Sequence, residues 1–307
     1  VEGAASMMKK EPKLIVIQGP TASGKTKIAV ELAKQLNSVV LSADSRQFYK
    51  EISIGTAKPS EEEMDGIKHY FIDSHSLSDE VSAAQFANEA RALITTELSD
   101  LEYVIVVGGS GLFIQALCEG LDAIPHNRTL QNKLAEEWKA RGLTHFLEEL
   151  ENKDPDYFQQ IDKENPLRVI RAIEAMRLSG KTMIELRSGS DKSNFDTVHY
   201  FNTDLPREDL YKRINTRVDQ MLELGLENEV RSVYHLKHLK SLQTVGYREF
   251  FDFFDGTTTK ETAIELIKQH SRNYAKRQIT WFKSHHPGTL ISSEIDYVKL
   301  ILKKINS

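Results

Sequence analysis

Three observations on this sequence predict an α/β fold, with a parallel sheet core of the phosphate-binding-loop (P-loop) kind, a helical insertion and a helical C-terminal part. Short, continuously apolar runs alternate with amphipathic segments of helix length, the pattern of a parallel sheet covered on both faces. The first apolar run leads into a glycine-rich loop that opens a helix. From Glu119 onward the apolar runs stop, and only helical spacing continues until Val198.

The elements follow in order. Leu14–Gln18 is the first strand, and Lys27–Leu36 is the helix behind its loop. Val39–Ala43 is a second apolar run, closed by Asp44, and His69–Ile72 is a weaker third. Val81–Leu98 has amphipathic helical spacing, and Tyr103–Val107 is a buried strand ending in Gly108-Gly109-Ser110-Gly111. Beyond it Leu130, Leu134 and Trp138 recur every four residues, and helical stretches continue through Asn152 and from Pro166 to Ser179. Asp154-Pro155 and Asn165-Pro166 place a capping side chain before a first-turn proline, a helix-start signal. A strand at Val198–Phe201 precedes helices at Arg207–Leu224, Leu226–Leu236 and Lys260–Lys283. The expected division is a core of residues 10–118 and 198–307, with a helical insertion of residues 119–197.

Composition sets limits. A chain of 307 residues is long for one hydrophobic core, which suits a domain carrying an insertion. Its 40% hydrophobic and 28% charged residues exclude wholesale disorder. No apolar run approaches the ~18–20 residues of a membrane-crossing helix, and the first ten residues lack the apolar stretch of a secretory signal. Val1–Ser6 reads as a leader ahead of a natural start at Met7 or Met8. The lone cysteine, Cys118, excludes a disulfide framework and a cysteine-rich zinc site, so a cytoplasmic location is expected. The histidines show no metal-ligand spacing, and His285-His286 is expected in a solvated loop. A net charge of −5 disfavours nucleic acid for the chain as a whole. RNA meets one face only, so local distribution decides.

The strongest chemical signal is Gly19-Pro20-Thr21-Ala22-Ser23-Gly24-Lys25-Thr26, which fits G-x-x-x-x-G-K-[ST] after a strand and before a helix. Glycines let backbone amides converge on phosphate oxygens, and the helix N-terminus adds positive potential. Lys25 brings a mobile charge, and the Thr26 hydroxyl is suited to ligate magnesium. Taken alone, the motif indicates binding of a nucleotide such as ATP. The remainder of a nucleotidase is missing, however. Tyr103–Val107 ends in glycines where a metal-holding carboxylate is wanted. Asn152-Lys153-Asp154-Pro155 has proline where a base-reading motif of GTPases needs aspartate. Asp44 is the acid placed beside the loop, because strand C-termini line the ligand crevice of such sheets. A helix cap or loop acid is the alternative for it.

Further blocks carry a resemblance. They are Ser42-Ala43-Asp44-Ser45-Arg46-Gln47, Ile54-Gly55-Thr56-Ala57-Lys58-Pro59 and Val107-Gly108-Gly109-Ser110-Gly111-Leu112. Asn165-Pro166-Leu167-Arg168, Arg171-Ala172-Ile173-Glu174, Val245-Gly246-Tyr247-Arg248-Glu249 and Arg272-Asn273-Tyr274-Ala275-Lys276-Arg277-Gln278 follow. Together with the glycine loop, and in this order, they resemble the bacterial tRNA dimethylallyltransferases.

That resemblance implies transfer of a dimethylallyl group from dimethylallyl diphosphate to N6 of an adenosine beside the tRNA anticodon, with release of diphosphate. It implies a monomer whose helical insertion grips the anticodon stem, and a loop that holds the leaving diphosphate with Mg2+. Under it Asp44 accepts the amino proton. Thr21 contacts the oxygen bridging the allyl group and the diphosphate. Arg217, with Lys25 and the loop amides, stabilises charge building on the diphosphate. Arg213 lies four residues before Arg217, and a solvated helix charge is the even alternative for it.

On the RNA side the resemblance points to Asp44, Ser45, Arg46 and Gln47 at the flipped adenosine, and to Gly246, Tyr247 and Arg248. Ser110 stands where the family usually has threonine, and Phe113 where tyrosine is common. Asn132 stands where some members have arginine, while Arg168 and Arg171 share a basic helix. Lys268, Arg272 and Lys276 form an i, i+4 stripe continued at Lys283, with Tyr274, Trp281 and Phe282 interleaved. The competing reading is a solvated charged face over core aromatics, and Trp281 is assigned to the core.

Three other functions stay open at this stage: a P-loop kinase, an enzyme prenylating free adenine nucleotide, and a non-catalytic RNA-binding protein. The long insertion and the basic C-terminal helix favour RNA over a mononucleotide. The presence of Asp44, Thr21, Lys25 and Arg217 together favours catalysis.

Overall fold

The computed structural model of the chain describes residues 11–121, 124–187, 195–292 and 296–307; the expected leader and the start at Met7 or Met8 lie outside these. The chain divides into two compact units, Val1–Cys118 with Asn194–Ser307, and Glu119–Ser193.

In the first unit β1 (Lys13–Gln18) runs through the glycine loop into α1 (Lys25–Leu36). Then come β2 (Val40–Ser42), α2 (Glu61–Met64), β3 (His69–Tyr70), α3 (Ala83–Thr95), β4 (Tyr103–Gly108) and α4 (Gly111–Cys118). The second unit holds α5 (Arg128–Lys153), α6 (Pro155–Gln160), α7 (Pro166–Ser179) and α8 (Met183–Arg187). Back in the first unit, the chain forms β5 (Val198–Asp204), α9 (Arg207–Glu223), α10 (Leu226–Ser232) and α11 (Arg248–Phe254). It closes with α12 (Lys260–His285), β6 (Thr289–Ser292) and α13 (Tyr297–Ile305).

The six strands form one parallel sheet in the order β3-β2-β4-β1-β5-β6. From β1 the chain moves out to β2 and β3 on one side, returns to β4, and crosses to β5 and β6 on the other. Gln18 pairs with Gly108 and with Asn202, and Ser42 pairs with Val107, so these strands end level. The loops after β1, β2 and β4 therefore open at one edge, where the strand order reverses and a ligand crevice forms. β1 and β4 lie between neighbours, and Leu14–Ile17 and Val104–Val106 are fully buried, which accounts for their uninterrupted apolar sequence. Gly108 closes the packing: a Cβ there would sit 2.3 Å from the Ala43 carbonyl oxygen.

One core lies on the sheet, where Ile15, Ile17, Ile105 and Phe201 pack against Leu32 of α1 and Ile301 of α13. A second, built from Ile52, Val218, Leu226, Tyr247, Phe250 and Ile267, ties α9 to α12 and to the segment after β2.

The second unit is helical, with Leu134, Phe146, Leu150, Val169 and Ile173 at its centre. Asp154 and Asn165 cap α6 and α7, each followed by its first-turn proline, as the sequence signals indicate. Buried Asp154 also accepts the Met183 amide at 2.7 Å, which fixes α8. The backbone leaves helical geometry at Gly142 (φ 74), inside α5. Arg177 on α7 forks onto Glu137 at 2.8 and 3.0 Å, and these bonds hold Glu137 down at about 2.

Candidate active site

The glycine loop is braced by its own residues and by β5. It turns at Gly19 (φ 152), Ala22 (φ 62) and Gly24 (φ 87). A Cβ on Gly19 would meet Thr203 Oγ1 of β5 at 2.0 Å, so glycine is needed for the loop to lie on that strand. The Thr203 hydroxyl donates to Ser23 Oγ at 2.7 Å, and Ser23 donates to the Pro20 carbonyl at 2.8 Å. Lys25 Nζ lies 2.6 Å from the same carbonyl. Loss of hydration lowers the Lys25 pKa to about 7; Asp44 pulls it up and Arg217 pushes it down. A cation so placed favours a polyanionic ligand. Thr26 stands in the first turn of α1. No group of three or more His, Cys, Asp or Glu side chains converges among the described residues. The Thr26 hydroxyl is an oxygen donor of the kind magnesium takes when phosphate oxygens and waters complete its shell.

The second loop leaves β2 with the Ala43 amide donating to the Val107 carbonyl at 2.7 Å. Asp44 Oδ1 accepts the Arg46 amide at 3.1 Å, a local turn that aims the carboxylate. The side chain is 20% exposed, and Arg46 Nε stands 4.0 Å away. Asp44 is thus a loop cap and also the charge felt by Lys25, Arg217 and Tyr274. The Ser45 amide donates to Ser110 Oγ at 3.0 Å, joining this loop to the one after β4. Gln47, expected at the RNA, has its amide engaged internally: Oε1 accepts from Ser42 at 2.9 Å, and Nε2 donates to the Ala57 carbonyl at 3.1 Å.

Between these loops and α9 and α12 lies a cleft with a polar side of Thr21, Arg46 and Arg217, and apolar Ile214, Val218 and Met221 elsewhere in its lining. Arg217 Nη1 lies 3.5 Å from Thr21 Oγ1. Burial lowers the Arg217 pKa, and the guanidinium remains charged. Arg213, by contrast, is exposed. The Tyr274 ring lies 5.4 Å from the Arg46 guanidinium, and burial, reinforced by the charge of Asp44, pushes its phenol up. A glycine loop with a buried lysine, beside apolar side chains, suits a ligand with an anionic head and a short hydrocarbon body.

Several expected RNA contacts have other partners. The Gly246 amide donates to Glu249 Oε2 at 2.8 Å. Tyr247 is fully buried, and its hydroxyl donates to Glu229 at 2.6 Å. Glu229 also accepts the amides of Ser53, Ile54 and Gly55 at 2.8, 2.8 and 2.9 Å. Tyr247 is therefore a strut of the loop after β2, a correction to its assignment at the RNA, whereas Arg248 is exposed. On α12, Lys268 pairs with Asp219 at 2.8 Å and Arg272 donates to Asn215 at 2.7 Å, while Lys276 and Lys283 are exposed. In the second unit Asn132 and Arg168 are exposed. Arg171 instead donates to the Pro125 and Ile124 carbonyls at 2.9 and 3.1 Å and pairs with Glu174, so its head binds its own unit. His285 is exposed and stacks on Trp281, whereas His286 is buried against Tyr200, which corrects the solvated-loop expectation for the second of the pair.

Sequence reasoning missed the apolar side chains of the cleft, because Ile214, Val218 and Met221 follow ordinary helical core spacing. It also missed Gln278, which joins Thr21 to Gly109.

A parallel sheet with a glycine loop at its strand ends, an acid on the neighbouring loop and a partly apolar cleft is the architecture of a P-loop enzyme. The match of residues 47–285 to the IPP transferase family makes this specific: the chain belongs to that family, as its motifs indicate. It is 47% identical over 285 residues to a tRNA dimethylallyltransferase of Cytophaga hutchinsonii, covering 90% of this chain and 93% of that one. A solved full-length tRNA isopentenylpyrophosphate transferase from Bacillus halodurans superposes with a TM-score of 0.69 at 37% identity, covering 96% of this chain and 95% of that one. A eukaryotic dimethylallyltransferase acting on tRNA gives a TM-score of 0.78 at 28% identity, covering 92% of this chain and 74% of the other. Among the described residues no helix is long and apolar enough to cross a membrane.

Proposed function

We propose that this enzyme transfers a dimethylallyl group from dimethylallyl diphosphate to N6 of an adenosine next to the tRNA anticodon. The observation that carries the reading is the meeting of the two loops. Thr21 and Arg217 form a hydroxyl-bearing, cationic end to the cleft, with Lys25 buried in the glycine loop behind them and the Asp44 carboxylate on the adjoining loop. The activities named for the relatives supply the substrates.

Adenine N6 is a weak nucleophile because its lone pair is delocalised into the ring. In the transfer the bond from the allylic carbon to the bridging oxygen breaks, the bond from that carbon to N6 forms, and Asp44 takes the N6 proton. The departing diphosphate gathers negative charge, which Lys25, Arg217 and the loop amides stabilise. The Thr21 hydroxyl, beside Arg217, bonds the bridging oxygen. Thr26 would hold Mg2+, which supplies further neutralisation of the diphosphate when bound. Ile214, Val218 and Met221 accommodate the hydrocarbon.

The base has to leave its stack, at a cost of a few kcal/mol that RNA contacts must offset. Ser45, Arg46 and Ser110 at the crevice, exposed Arg248 and Lys276, and exposed Asn132 and Arg168 of the helical unit are the groups assigned to those contacts. Arg272, half-buried on Asn215, completes the set from its outer edge. We assign the helical unit to the anticodon stem, and the working form to a cytoplasmic monomer.

The test is incubation with dimethylallyl diphosphate, magnesium and unmodified tRNA, with AMP and ATP as parallel acceptors, followed by nucleoside mass analysis. Prenylated adenosine from tRNA alone is expected. Product from AMP moves the enzyme to free nucleotides, and absence of product from every acceptor removes the proposal.

A further inference from the structure

Gln278 of α12 is buried, at 5% exposure, and lies between two loops that come from different strands. Its Oε1 accepts the Thr21 amide at 2.9 Å, and its Nε2 donates to the Gly109 carbonyl at 2.9 Å. A Cβ on Gly109 would stand 2.2 Å from that same Nε2, so glycine at this position makes room for the bond. One residue further on, Ser110 accepts the Ser45 amide at 3.0 Å, next to Asp44. An unbroken path of hydrogen bonds thus runs from Thr21 through Gln278 and the Gly109–Ser110 segment to the loop of Asp44.

We propose that Gln278 is a positioning residue for the transfer reaction: by holding Thr21 and Gly109 at fixed separation, it sets the distance between the diphosphate loop and the acceptor loop. The inference rests on the prenyl-transfer reading above.

The chemistry of the side chain supports it. Thr21 presents a donor and Gly109 an acceptor, and the primary amide of glutamine answers both at once, with its acceptor and its donor on separate atoms. Glutamate satisfies the first and repels the second. Methionine fills the space and satisfies neither. Asparagine is one methylene short. The holder is also rigid, since Ala275 and Phe282 anchor α12 in the core, and helix-borne groups are placed more reproducibly than loop-borne ones. The Thr21 amide is turned to Gln278, and its hydroxyl lies on the Arg217 side, 3.5 Å from Nη1. A shift in this link moves Thr21 relative to Asp44 without removing either group.

The experiment measures kcat at saturating dimethylallyl diphosphate and tRNA for Gln278→Met and Gln278→Glu, in the wild-type and Thr21→Val backgrounds. Affinity for tRNA and thermal midpoint are followed alongside. We expect Gln278→Met to lower kcat by about 10–100-fold, the scale of a misplaced reacting pair, with tRNA affinity unchanged within about twofold. In the Thr21→Val background the same change should cost less than about threefold, because a residue acting through Thr21 is coupled to it. Gln278→Glu, which keeps the volume and one bond, carries the same comparison if the methionine variant does not fold. Wild-type kcat in a folded variant, or equal losses in both backgrounds, overturns the inference. A wild-type enzyme without prenylated tRNA breaks the functional reading instead, so the two failures are distinguishable.

Discussion

The loop at Gly19–Thr26 and the loop at Asp44–Gln47 leave neighbouring positions on one sheet edge, yet they are shaped by different means. The first draws its shape mainly from its own residues, with Thr203 of β5 and Gln278 of α12 bracing it at two points. Gly19, Ala22 and Gly24 take the positive φ angles, Ser23 bonds back to Pro20, and α1 begins at Lys25. The second is held largely from outside. Ser45 is fixed by Ser110, Gln47 by Ser42 and Ala57, and Arg46 lies over Tyr274. A loop shaped mainly by its own residues can recur on many folds, as a phosphate-binding motif does. A loop held by distant residues depends on the whole fold for its geometry, which suits the acceptor role proposed for it.

The comparison is broken most severely at Asp44. Asp44→Ala should lower transfer by roughly 10²–10⁴-fold, the usual weight of a general base, while tRNA binding stays close to wild type in a filter assay. Near-normal turnover would remove Asp44 from the chemistry and leave its loop-capping bond to Arg46 as its whole role.

Next comes the charge of the first loop. Lys25 is a base with a depressed pKa, so it is positive below about 7 and neutral above. Titrating inorganic diphosphate onto wild type and Lys25→Met from acid to alkaline pH should show a wild-type advantage of about tenfold at low pH that shrinks as pH rises through 7. The same anion favours the protonated lysine, so the midpoint should move upward once diphosphate is present. An advantage independent of pH would place the Lys25 charge outside this titration.

The smallest effect is expected on α12, where the basic stripe separates into two kinds of residue. Lys268 is tied to Asp219, whereas Lys276 and Lys283 are exposed. Replacing Lys276 and Lys283 by methionine should reduce the salt dependence of tRNA binding by a slope of about 1–2. Lys268→Met should leave the slope unchanged. Identical slopes in all variants would return the entire stripe to a solvated face.

The same contrast explains what was legible in the sequence. Strands β1, β2 and β4 and helices α1, α9 and α12 were visible because each is a run with its own period and a glycine, aspartate or proline at its edge. The phosphate loop was visible for the same reason. β6, four residues at the sheet margin, carries too little pattern to be seen, and the break at Gly142 was hidden within a helical stretch that tolerates a glycine. At the site, Tyr247 was placed near RNA because it sits in a family block, yet its partner is Glu229, eighteen residues upstream and in another helix. Gln278 reaches Thr21 across 257 residues. No local spacing encodes such a bond, so it becomes visible only when the fold brings the two ends together.

The most direct test of the central claim counts diphosphate and prenylated adenosine released in one reaction containing dimethylallyl diphosphate, magnesium and unmodified tRNA. If the glycine loop holds a leaving group for the adenosine beside Asp44, the two products appear in equal amounts and neither forms without RNA. Diphosphate released without RNA, or phosphate released from ATP with no prenylated adenosine formed, would contradict the account.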